Sequence, residues 1–268
     1  MTTLPPTGLD IPALAAELGG TGAPVLWEEL DWPSVLDVVG ALRAAVVPVG
    51  AIEQHGPHLP LNVDTEIDTA VAHAVSAITG IPVLPPVAVG VSGSHGDFPG
   101  TLTYRPETLV AVMEDLTDSL YRSGVRQFVF LSGHIWNSGA LDVAIEKLRT
   151  RYDDVRARSI GYVTMYPGPE VDGHVRYGRA LMHANYFETS VMLHLRPELV
   201  RMDRAVSHRD VDSFWDYRMD QVSDSGVWGN DVTEADAEHG RAEFDRCVER
   251  TARALAAAVR EPEPERTR

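Results

Sequence analysis

Two short apolar runs, set apart by long amphipathic stretches, constrain this chain most. Ala44 to Gly50 carries Val46, Val47 and Val49 ahead of a glycine, and Gln127 to Leu131 reads Gln-Phe-Val-Phe-Leu before Ser132-Gly133. Runs this short and this apolar suit strands covered on both faces. Helical periodicity covers Thr65 to Ile78, Glu107 to Ser123, Asn137 to Arg151, Glu188 to Leu195 and residues 234 to 260. Ile81 to Val89 reads as a proline-broken, strand-like segment and Val155 to Thr164 as extended. Strand alternating with helix predicts an α/β fold: a single domain of three αβα layers around a mainly parallel sheet. In such sheets the reactive residues lie just beyond the C-terminal ends of the strands. Glu53-Gln54-His55 follows the first run, His134 follows the second, and the loop Ser92 to Gly100 follows the third candidate strand.

No linker-like stretch divides the middle of the 268 residues, so one core is expected. The expected layout is a flexible segment over 1–24, a domain over 25–260 and a disordered tail over 261–268. Apolar residues make up 44%, which excludes a disordered chain, and the net charge of −16 argues against nucleic acid or membrane as a partner. The single cysteine, Cys247, can form neither an internal disulfide nor a thiolate cage, so any metal must be held by nitrogen and oxygen. No signal-like segment and no apolar run of about 18 residues is found, so the cytoplasm is the expected compartment.

Gly50-Ala-Ile-Glu-Gln-His-Gly-Pro-His-Leu-Pro-Leu-Asn-Val-Asp64 holds ligand-type side chains between glycines and prolines that resist regular structure. Glu53 and His55, two apart, point the same way on extended backbone. Asp64 offers two oxygens with which to bridge two ions. Imidazole with carboxylate suits zinc, manganese, iron or nickel. The alternative is a polar loop whose His55 and His58 make ordinary hydrogen bonds. Spacing leaves both open, with His58 assigned to loop shaping.

Val47 to Ala72 resembles the signature of the creatininase (creatinine amidohydrolase) family. Further elements of that family follow in order: Phe98-Pro-Gly-Thr101, Leu131-Ser-Gly-His-Ile-Trp-Asn137, His183-Ala-Asn-Tyr-Phe-Glu-Thr-Ser190, and Gly226-Val-Trp-Gly229 with Gly240 downstream. The resemblance spans roughly residues 25 to 245. It implies a two-metal amide hydrolase, commonly homohexameric, with two divalent ions per subunit, zinc first and manganese, iron or nickel as alternatives. It implies that Glu53 binds one metal, that His55 and His134 bind the other, and that Asp64 bridges both. Glu188 is implied as a further ligand or water-orienting base, and His183 as the catalytic histidine.

The chain also departs from that pattern. Creatininase has a tyrosine and a glutamate after the histidine that corresponds to His134, where this chain has Ile135 and Trp136. Its tryptophan–aspartate pair corresponds to Arg179-Ala180, which argues against creatinine as substrate. Ser94 stands where relatives carry a glutamate ahead of the histidine that corresponds to His95. Ser94, His95, Ile135, Trp136 and Arg179 are therefore the candidate substrate contacts, and Arg176 is a weaker one. Trp27, Trp32, Trp215 and Trp228 are assigned to packing or subunit contacts, and Met182 and Met192 to the core. The expected function is hydrolysis of a non-peptide C–N bond (amide, cyclic amide or formamide) in a small molecule. A precursor-peptide peptidase of the mycofactocin type, or a silent family member acting as a binding subunit, are the alternatives.

Overall fold

The computed structural model describes residues 4–161, 183–208 and 217–262. Three parallel strands, β1 (Ala44–Pro48), β2 (Gln127–Leu131) and β3 (Arg156–Ile160), lie side by side in that order, with Val46 opposite Val129 and Val129 opposite Arg158. Successive side chains of a strand point to opposite faces. Val46, Val129 and Leu131 accordingly enter one core, and Val47, Phe128 and Phe130 enter the other. Helices α3 (Val63–Thr79), α6 (Tyr186–Leu195) and α8 (Ala237–Arg260) cover the first face through Ile67, Val71, Val191, Phe244 and Val248. Helices α4 (Pro106–Arg122) and α5 (Ser138–Arg151) cover the second through Leu109, Met113, Leu141 and Leu148. Each such buried side chain contributes about 1.5–3 kcal/mol relative to exposure. The expected α/β class with a parallel sheet is therefore what the chain adopts.

The 81–89 segment runs beside β1 as an interrupted fourth strand. Val46 N–H donates to the Pro82 carbonyl at 2.9 Å, Leu84 N–H to the Val46 carbonyl at 2.9 Å, and Gly50 N–H to the Val87 carbonyl at 3.0 Å. Pro82, Pro85 and Pro86 have no N–H to donate, which is why the ladder does not become continuous.

Two helices were not legible. Within the segment expected to be flexible, Ile11–Leu18 forms α1, capped by the Asp10 side chain on Ala13 N–H, with Ile11 and Ala15 buried. The cap and the small apolar face stabilise this helix. Helix α2 (Trp32–Leu42) is capped by Asp31 on Ser34 N–H. Trp32, assigned to packing or a subunit contact, is 77% exposed in this chain, so it does not pack in the core. A short α7 (Met219–Val222) precedes α8. Helix α3 begins at Val63, earlier than periodicity indicated, so Asp64 sits in its first turn, where the helix dipole favours a carboxylate. Helix α8 is capped by the Asp236 side chain on His239 N–H. A Cβ on Gly240 would lie 1.8 Å from the Ser190 carbonyl oxygen, so glycine is what lets α8 approach α6 this closely. Among the described residues no helix is long and apolar enough to cross a membrane.

Candidate metal centre

Two strand ends and two helix starts deliver the parts of the site. Glu53 and His55 lie on the loop after β1, Asp64 on the first turn of α3, and His134 just after β2. His183 and Glu188 flank the start of α6, whose cap is reciprocal: Asn185 accepts the Glu188 N–H at 2.9 Å, and Glu188 accepts the Asn185 N–H at 3.3 Å. Between them Ala184 occupies the left-handed region at φ 51°, a conformation that alanine holds only when its surroundings impose it.

These side chains converge in a buried space. Asp64 Oδ2 faces two imidazoles, His134 Nδ1 at 3.3 Å and His55 Nε2 at 3.7 Å, while Glu53 Oε2 lies 3.5 Å from His134 Nε2. Glu53, His55 and Asp64 are 1%, 1% and 3% exposed. Glu53 Oε2, His55 Nε2 and Asp64 Oδ2 have no hydrogen-bond partner, although an unpaired buried polar atom is costly. Two ligands on one tetrahedral cation at bond lengths near 2.1 Å stand about 3.4 Å apart. The observed spacings fit that arrangement, and an all nitrogen and oxygen donor set suits the ions named above.

The rings are oriented by carbonyls. His55 Nδ1–H donates to the Glu53 carbonyl at 3.0 Å and His134 Nε2–H to the Val91 carbonyl at 2.8 Å. In their neutral forms this leaves His55 Nε2 and His134 Nδ1 as lone pairs aimed at Asp64. His183 Nε2–H donates to the Gln54 carbonyl at 2.6 Å, so its Nδ1 faces Glu53 Oε1 at 3.3 Å. One ligand atom each from Glu53, Asp64 and His134 falls within 4.8 Å of the others, and so do His55, His183 and Glu188. The resemblance implied that His55 and His134 share one ion; here His134 lies nearer Glu53, and both rings face Asp64 Oδ2. The Val91 carbonyl turns the His134 ring toward Glu53 and Asp64, while α6 brings Glu188 to the His55 side.

Gln54 is the organiser that sequence reasoning missed. Its Oε1 accepts the Gly56 N–H at 2.9 Å, and its Nε2 donates to His95 Nδ1 at 2.8 Å and to the Gly226 carbonyl at 3.1 Å. His95 Nε2 then points at Glu53 Oε1, 3.6 Å away. Gly226 has φ 73°, and a Cβ there would lie 2.0 Å from Gln54 Oε1. Just beyond Val227, Trp228 exchanges both backbone hydrogen bonds with His183, each at 2.9 Å, which pins the candidate catalytic histidine.

Burial and opposite charges pull against each other throughout the site. Burial disfavours charge on His55 and His134, yet Asp64 and Glu53 outweigh it and raise them to about 9 and about 10. Burial pushes Glu188 up to about 7 against the pull of His55. Burial likewise works to raise Asp64, but His55 and His134 hold its carboxyl below the usual range. Burial, with His55 beside it, drops His183 well below its ordinary value, so its imidazole is neutral.

The creatininase (creatinine amidohydrolase) family model matches residues 28–255. This chain belongs to the creatininase family. It is 34% identical over 197 residues to creatinine amidohydrolase from Pseudomonas putida, covering 67% of this chain and 75% of that protein. It is 36% identical over 229 residues to the mycofactocin precursor peptide peptidase of Mycobacterium tuberculosis, covering 78% and 84%. Solved creatininase structures, among them a manganese form and a zinc–zinc form of a mutant, superpose with a TM-score of 0.76 at 30% identity over 89% of this chain. They are matched over 100% and 99% of their own lengths respectively.

Within this creatininase-family chain the remaining candidates separate. His95, expected as a substrate contact, lies beside Glu53 and within reach of His183. Ile135 and Trp136 form a tight turn after His134, and Ser94 lies in another before His95, its hydroxyl buried without a partner. His58 is buried and bonds Thr189 Oγ1 at 2.9 Å, the loop-shaping role assigned to it. Met192 is in the core as expected. Arg176, Arg179, Met182 and Trp215 lie outside the described residues.

Proposed function

We propose that this hydrolase cleaves a non-peptide C–N bond of a small molecule, an amide, cyclic amide or formamide, using two divalent metal ions per subunit. Zinc is first choice, with manganese, iron or nickel also suited to the donor set. One observation carries the reading: three buried, unpartnered ligand atoms, from Glu53, His55 and Asp64, converge at cation-ligand spacings. Glu53, Asp64 and His134 would hold one ion, and His55, Asp64 and Glu188 the other. Such ions polarise a carbonyl and make water nucleophilic near neutral pH.

The chain's own groups supply the proton work. Neutral His183 offers Nδ1 as the base that takes a proton from water and returns it to the departing nitrogen, a step worth roughly 10²–10⁴-fold. Glu53 Oε1, 3.3 Å away, stabilises the imidazolium that forms in between. The Gln54 carbonyl keeps the opposite nitrogen protonated and the ring in place. Treatment with a chelator should abolish turnover across a panel of lactams, formamides and linear amides, and added zinc or manganese should restore it. Turnover indifferent to chelation would sink the proposal.

A second reading, cleavage of a precursor peptide, is favoured by the match to the mycofactocin peptidase over 84% of its length. Short peptides in the same panel separate the two. Assembly into a homo-oligomer, a hexamer by family resemblance, and a cytoplasmic location complete the proposal. Trp32 and Leu36, exposed one turn apart on α2, support a subunit contact, which light scattering would measure.

A further inference from the structure

A cavity of about 450 Å³ opens beside the metal centre, walled by Val91, Ser94, Tyr104, Arg105, Pro106 and Trp136. The size falls in the range of small-molecule sites, roughly 300–1,000 Å³. Its wall and the centre's wall are the same layer of chain. The Val91 carbonyl takes the His134 N–H, Ser94 precedes the His95 that faces Glu53, and Trp136 is two residues past His134. The cavity thus shares its wall with the loops that carry His95 and His134.

The chemistry of the lining is uneven. Tyr104, Pro106, Val91 and Trp136 present ring and aliphatic surface. Arg105 is the one cation of the lining, exposed, and it has no carboxylate partner among the described residues. In a chain of net charge −16, an arginine left unpaired at the edge of an apolar recess stands out. Apolar walls take an apolar group, and a guanidinium takes a carboxylate through paired N–H donors.

We propose that this cavity is the substrate's specificity subsite. It would take an apolar group of aromatic size with a carboxylate at its edge, so that the cleaved bond belongs to an N-acylated apolar amino acid or a close analogue. The proposal rests on the hydrolase reading of the centre and narrows its substrate class. Trp136 and Arg105 are then the residues that set specificity, Trp136 by ring contact and Arg105 by charge.

The test is a ligand titration followed by NMR on the full chain, both chelator-treated and zinc-loaded. N-acetylphenylalanine is compared with its carboxamide and with N-acetylglycine. The wild type should bind N-acetylphenylalanine at least tenfold more tightly than either of the others. Trp136→Ala should erase the advantage over N-acetylglycine, and Arg105→Gln the advantage over the carboxamide. Gly93→Phe provides a variant that does not unpack the wall, because a Cβ at Gly93 meets nothing within 4 Å. It should fill the cavity and weaken N-acetylphenylalanine at least tenfold. Equal affinities for the three ligands, no binding, or affinities unmoved by Arg105→Gln and Gly93→Phe would overturn the subsite. Asp64→Ala should leave these affinities in the chelated chain unchanged while ending metal-dependent turnover, so failure of the subsite and failure of the hydrolase reading are told apart.

Discussion

Asp68 Oδ1 accepts the N–H of Gly133 at 2.8 Å, fastening the loop that carries His134 to the helix that carries Asp64. Asp68 lies one helical turn past Asp64, is 0% exposed, and is pushed well above the usual carboxylate range by burial and by Asp64. It thus sets the separation between two candidate ligands without being one. Asp68→Asn keeps an acceptor of the same shape, whereas Asp68→Ala leaves the Gly133 N–H without its partner. The alanine variant should lose about 1–3 kcal/mol in denaturant unfolding and bind zinc more weakly. The asparagine variant should stay within about 1 kcal/mol of wild type and keep its zinc affinity.

Gly226→Ala should act at a distance from the ions. The left-handed backbone and the 2.0 Å approach to Gln54 Oε1 leave no room for a methyl group. The Gln54 amide must move, and His95 beside Glu53 loses its support. A fall in kcat on the order of 10²-fold is expected, with metal content unchanged by elemental analysis.

His183→Ala separates a proton carrier from a ligand. A proton carrier's loss lowers kcat by roughly 10²–10⁴-fold and leaves both metals bound. Loss of one metal equivalent would instead make His183 a ligand, as its grouping with His55 and Glu188 permits.

Protons stand in for cations in the metal-free chain. With His55 raised to about 9 and His134 to about 10, both are charged at pH 7, and a cation must displace a proton from each. Zinc affinity should rise with pH up to about 9–10. Calorimetry in buffers of different ionisation enthalpy should show proton release. The stability sign is opposite for the metal-free chain. A histidine raised above its unfolded value near 6.5 stabilises fully below that value and loses its contribution as pH climbs through the folded one. The metal-free protein should therefore unfold more easily at pH 10 than at pH 7.

Much of this was legible in the sequence because it is local. The apolar runs that become β1 and β2 and the long helices declare themselves by period, and Glu53, His55, Asp64 and His134 follow strand ends or open a helix. What was not legible depends on partners distant in the chain. Gln54 looks like any loop amide until His95, His183 and Gly226, 41, 129 and 172 residues away, close around it. Asp68 looks like a solvated helix residue until Gly133, 65 residues on, is placed against it. Helices α1 and α2 are short, 8 and 11 residues, and their prolines disguise the first turn as a break. The grouping of His134 with Glu53 depends on ring orientation, which the Val91 carbonyl imposes from another loop.

Zinc-edge anomalous diffraction from crystals of the zinc-loaded protein tests the account most directly. Two peaks per subunit are expected, one touched by Glu53, Asp64 and His134, the other by His55, Asp64 and Glu188. A single peak, or peaks that Asp64 does not touch, would contradict it.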